Sequence, residues 1–182
     1  MNGKISKDNE CACLKDEEAI KFSNEHRKAR KLTDKQEMMV AIAYSSPFQV
    51  QQARLFPTVL HIDITANTNQ EERPLLTVTA KDSYANFFTV VTCFLPNEKA
   101  WSFRWFFQNA LPSLITKSTL AECKYVVTDG DIVMIQQLEE GVNKYMPWAK
   151  RGRCTWHIID RGWLKYVKLP LGGYSKKKEQ RN

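Results

Sequence analysis

The chain of 182 residues has no apolar run near the 18 or so residues that a bilayer span requires. Its opening, Met1-Asn-Gly-Lys-Ile-Ser-Lys, lacks the hydrophobic segment of a secretory signal. The five cysteines, at 11, 13, 93, 123 and 154, are odd in number and follow no disulfide or zinc framework. These absences argue against a membrane protein and a secreted disulfide scaffold, and lead us to expect an intracellular protein with reduced thiols. Acidic residues are scarce at one end. Residues 144–182 hold 11 Lys/Arg against 2 Asp/Glu, a local balance of +9, whereas the first 143 residues sum to −2. A basic end on a neutral body suits a polyanion such as nucleic acid, although Ser175-Lys-Lys-Lys-Glu-Gln-Arg-Asn182 alone reads equally well as a solvated tail.

With 43% apolar and 26% charged residues, the composition is that of one globular domain with extensions. The polar lead-in predicts helices over Leu14–Lys31, then from a capping box at Thr33–Gln36 through Tyr44, then Phe48–Phe56. Three strands follow in quick succession: Thr58–Thr65, Leu75–Ala80 and Phe87–Leu95. Their short connections predict an antiparallel meander. Asn97 as N-cap opens a helix through Leu111, whose Trp101, Phe103, Trp105, Phe106 and Phe107 read as core rather than as a base-stacking platform. A strand at Lys124–Asp129, a helix over Ile132–Val142 ended by Gly141 or Asn143, and a strand over 153–159 complete the order. No internal repeat is visible.

Two aspartates stand out in this frame. Asp63 interrupts the apolar run Thr58–Thr65, and Asp129 ends the run Lys124–Asp129. A carboxylate costly to bury, set within or at the end of a strand, suggests a metal ligand. Right-handed crossover places the fourth strand parallel to the first and beside it. Adjacent strands lie about 4.8 Å apart, so two carboxylates at matching heights can share a divalent cation. Asp131 reads as a helix N-cap.

The chain resembles the catalytic domain of Mutator-like element (MULE) transposases. The likeness runs from about Leu55 to Trp163, through Phe56-Pro57, Asp63-x-Thr65, Asn67, Pro74-Leu75, Glu98 with Trp101 and Trp105, Thr128-Asp129, and Cys154-Thr-Trp-His157. It implies a ribonuclease H-like α/β fold: a mixed sheet of three antiparallel strands, then two parallel helix-strand units, with an N-terminal helical lead-in. It further implies an Asp-Asp-Glu transposase acting on DNA in the nucleus, with Asp63 and Asp129 as catalytic residues and ligands of Mg²⁺ or Mn²⁺. The expected organisation is a lead-in over 1–54, the transposase domain over 55–163 and a basic tail over 164–182. Cys154 and His157 match a motif whose role spacing does not fix; half a zinc site and a buried structural pair are the two readings. The family's third acid, a glutamate on a later helix, has no counterpart, since Glu179 is the sole glutamate after His157 and its surroundings offer no apolar face. The resemblance therefore suggests a truncated core without strand transfer of its own. The alternative is a non-catalytic nucleic-acid-binding remnant of a domesticated or degenerate element, cytoplasmic if a fragment. A nuclease using Glu98 is a third reading, and a homo-oligomer is left open.

Overall fold

A computed structural model describes residues 16–33, 39–66 and 68–159. The expected capping box at 33–36, Asn67 of the motif, residues 160–163 of the transposase domain and the basic tail fall wholly or partly outside these residues. Six strands form one mixed sheet in the order β1-β4-β3-β2-β5-β6. They are β1 Ile42–Tyr44, β2 Val59–Thr65, β3 Leu75–Lys81, β4 Phe87–Phe94, β5 Tyr125–Thr128 and β6 Lys150–Arg153. The β2-β3-β4 meander is antiparallel, and β5 and β6 add in parallel to β2 and then to each other. That is the connectivity expected from the order of elements, including the crossover that makes β5 a neighbour of β2.

Alternation in β2 and β3 sorts the two faces. Leu60, Ile62, Leu76, Val78 and Ala80 are buried in one apolar cluster with Phe103, Phe106 and Phe107. Burying side chains of this size stabilises the fold by about 1.5–3 kcal/mol each. The opposite face carries a row in register, Tyr44, Thr92, Thr77 and Asp63, none of them buried.

Helical segments pack on this frame. Helix α1 (Glu17–Ala29) is capped by Asp16, whose carboxylate also pairs with Arg104 at 2.7 Å. Helix α2 (Pro47–Leu55) begins with a capping box, Ser46 with Gln49. The aromatic helix is compound: α3 (Ala100–Trp105), a π-helical stretch (Phe106–Ala110) and α4 (Leu111–Leu114). Pro112 can supply no amide to the preceding turn, and the Tyr145 hydroxyl donates to the Gln108 carbonyl at 3.4 Å instead. A short α5 (Lys117–Ala121) leads to β5, and α6 (Ile132–Tyr145) leads to β6.

Several expectations require correction. Residues 42–44 are strand, not helix: Ile42, Ala43 and Tyr44 pair with the outer edge of β4. Asn97 is not the N-cap residue of α3, which starts at Ala100, but its Oδ1 accepts from the Lys99 amide at 3.1 Å and the Ser102 hydroxyl at 2.7 Å. Helix α6 continues past Gly141 to Tyr145, because Gly141 sits against Phe107 and loses no packing by lacking a side chain. The last strand is Lys150–Arg153, and the chain turns helical at Thr155–His157 (α7).

Candidate metal centre

The site is built at the carboxyl ends of β2 and β5. The parallel register pairs Val59 with Tyr125, Leu60 with Val126, His61 with Val127 and Ile62 with Thr128. Asp63 is the next residue of β2 after this pairing, and Asp129 is the first residue after β5. The β2–β5 junction is also where the sheet changes from antiparallel to parallel pairing. Crevices for ligands open outside the carboxyl ends of strands at such places.

Asp63 is not a buried charge. Its side chain keeps 51% exposure because the open face of the sheet, not the core face, receives it. The Thr65 hydroxyl donates to its Oδ2 at a long 3.4 Å. Asp129 lies one residue past β5, and its Oδ1 accepts from the Asp131 amide at 3.0 Å. Gly130 supplies the turn with φ of +103°, a conformation that side chains resist. Asp131 behaves as expected: its Oδ1 accepts from the Met134 amide at 2.7 Å and caps α6. One bond thus holds the Asp129 carboxylate to its turn, and the next starts α6.

The structure adds a third residue to this end of the sheet. His157 Nε2 stands 3.6 Å from Asp63 Oδ1, and the imidazole retains only 12% exposure. Its Nδ1 is buried and finds no hydrogen-bond partner among the described residues. The Cys154 amide donates to the Thr128 carbonyl at 2.6 Å, tying the end of β6 to the end of β5. The single turn of α7 then swings His157 over β2. The reading of Cys154 and His157 as a buried pair in a strand is therefore wrong: Cys154 is partly exposed, and His157 faces Asp63. Sequence reasoning flagged the motif but not its partner, because Ile158 and Ile159 mimic a strand that the backbone does not form.

His61, two residues before Asp63 on the same face, is held below the usual imidazole range by burial and by the nearby Lys81. The arginines of β6 border the site from the other side. A methyl group added at Gly130 would lie 3.6 Å from Arg153 Cδ, so this guanidinium stem crosses the turn next to Asp129. Glu98 is exposed ahead of α3, in the connection that leaves β4, two strands from β2.

A hard divalent cation favours oxygen donors, and two carboxylates on adjacent strand ends suit it. Asp63 has an exposed carboxylate to offer, and Asp129 is pre-oriented by its turn. These residues fit one edge of a Mg²⁺ or Mn²⁺ site. Among the described residues no group of three or more His, Cys, Asp or Glu converges as a complete metal cage. Among the same residues no helix is long and apolar enough to cross a membrane.

No curated protein matches the chain. The model of the MULE transposase domain matches residues 59–161, from the first residue of β2 to beyond His157. The match covers more than half of the 182 residues, and the chain therefore belongs to the MULE transposase domain family.

Proposed function

We propose that this chain is a ribonuclease H-like catalytic core for DNA transposition, with Asp63 and Asp129 as the first two of its metal-holding acids. The observation that carries the reading is the β2–β5 register, which brings the two acids to neighbouring strand ends. Family membership supports a transposase-related role and an interaction with DNA. Nuclear action on DNA belongs to the same proposal.

Bound Mg²⁺ or Mn²⁺ would supply charge neutralisation and an activated water for phosphodiester cleavage. The residues of the chain do the rest. Asp63 and Asp129 would hold one edge of the cation, and the Asp129-Gly130-Asp131 turn keeps the second carboxylate aimed by its backbone bond. His157 packs over Asp63 and limits the positions its carboxylate can take. Arg153, beside the turn, offers charge for a phosphate. Holding a scissile phosphate in line with its attacker is itself a large part of such catalysis.

The test is titration with Mn²⁺ followed by nuclear magnetic resonance. Paramagnetic broadening should centre on Thr65, Thr128 and Gly130, and Asp63→Ala should weaken binding at least about tenfold, the cost of one good ligand or its support. Nicking of DNA with Mn²⁺ should disappear in Asp63→Asn. Broadening elsewhere, or unchanged in Asp63→Ala, would remove the reading.

A further inference from the structure

The aromatic side chains of α3 and its π-helical continuation are core, with Trp101, Phe103, Phe106 and Phe107 all buried. Two other tryptophans meet solvent. Trp148 is 71% exposed just ahead of β6, and Trp156 is 58% exposed just after it. A large aromatic ring left in water twice within nine residues asks for an occupant.

Between them runs Lys150-Arg151-Gly152-Arg153, exposed at every position. β6 is the outermost strand of the sheet, so its outer backbone groups have no strand partner among the described residues. Its charges are all positive. Arg151 is paired with Glu139 of α6, while Lys150 and Arg153 have no carboxylate pair among the described residues. Arg151 and Arg153 line a cleft of about 220 Å³ against α6, with Thr128, Ile135 and Leu138. A methyl group added at Gly152 would meet nothing within 4 Å, so β6 is open at that position. Tyr125, opposite Lys150 in the register, adds a third half-exposed ring.

The strip leads to the acids. Because β6 is parallel to β5, it runs toward the end that carries Asp129, and Arg153 crosses Gly130. Trp156 packs edge-on against His157, ring centroids 4.8 Å apart, and His157 faces Asp63. A strand advances about 3.3 Å per residue, so the two indoles stand on the order of 15–20 Å apart, room for a few nucleotides.

We propose that Trp148, β6 and Trp156 form a track for an unpaired stretch of DNA leading to the Asp63–Asp129 end of the sheet. The cations take phosphates and the indoles stack on bases. Only unpaired bases expose a face to stack, whereas a duplex offers its phosphates alone. The proposal rests on the reading of this chain as a DNA-cutting core and adds the single-stranded form of the substrate and the residues that hold it.

The test uses the full 182-residue chain in EDTA, with a fluorescent oligothymidylate and a duplex of equal length, followed by anisotropy. The oligothymidylate should bind more tightly than the duplex. Trp148→Ala and Trp156→Ala should each weaken it by about 5- to 100-fold, with Phe at either position restoring most of the loss. Lys150→Gln with Arg153→Gln should flatten the salt dependence by about 0.7 in log–log slope per residue. Equal binding of duplex and single strand, or tryptophan variants indistinguishable from wild type, would overturn the track. A strand of a protein partner pairing with the β6 edge would give that second result. Cleavage of DNA with Mn²⁺ by the same preparations separates the two ideas. Cleavage with tryptophan-independent binding sinks the track alone. Tryptophan-dependent binding without any cleavage sinks the catalytic reading and leaves the track as a binding surface.

Discussion

Cys93 lies wholly inside the sheet, and burial pushes its thiol from 9.0 up to about 12. The folded state therefore keeps the neutral thiol longer than the unfolded chain does. The sign follows: this contribution to stability is complete below about pH 9 and is lost as pH rises toward 12. Cys123 is also buried and shifted upward, by desolvation first, whereas Cys154 is partly open to solvent. With Cys11 and Cys13 replaced by serine, a thiol reagent at pH 8 should modify Cys154 at least about tenfold faster than the other two, because buried thiolates are disfavoured. Equal rates, by mass spectrometry, would contradict this packing. Single residues also mark how far the sequence could be read. Asp63 was legible as a carboxylate out of place in an apolar run, although its exposure was not. His157 was legible as part of a motif, but its neighbour was not, since a contact across 94 positions leaves no local pattern.

Among the elements, those with a buried face could be read from period alone. β2 and β3 alternate, and α6 repeats its apolar positions. The two edge strands could not. β1 is three residues with only Ala43 turned inward, and β6 is Lys-Arg-Gly-Arg with no apolar residue at all. Hydrogen bonding to a neighbour defines such strands, and nothing in their own composition announces it. Gly141 shows the converse, a helix breaker by rule that the helix retains. A methyl group there would meet Phe107 Cβ at 2.9 Å and its carbonyl oxygen at 3.4 Å. Alanine would gain up to about 1 kcal/mol in helix propensity. The clash with a rigid neighbour costs about 1–3 kcal/mol and should win. Gly141→Ala should therefore lower the urea midpoint, and a rise would show that α6 can shift off the aromatic helix.

For the molecule as a whole, the strand order sets a gradient of protection. β3 is bonded on both sides within the meander, and its Leu76, Val78 and Ala80 are fully buried, while β1 and β6 each have one partner. Hydrogen exchange should be slowest in β3 and fastest in β1 and β6, since exposed edges open locally before the core does. Slow exchange throughout β6 would instead indicate a cover on that edge. Charge obeys a similar layout: Lys150, Arg151 and Arg153, part of the basic excess visible in the sequence, surface on β6, at the side where the candidate acids stand. The hairpin joining β3 to β4 is at the other end of the sheet, since Leu60 pairs with Ala80 and Asp63 with Thr77. Its tip is held by Asp82, which accepts from the Tyr84 and Asn86 amides, each at 2.9 Å, and Tyr84 itself is 85% exposed. With Cys11, Cys13 and Cys154 replaced by serine, a dye or surface tether coupled through Tyr84→Cys would thus anchor the protein by its heel and leave the candidate rim free for single-molecule observation.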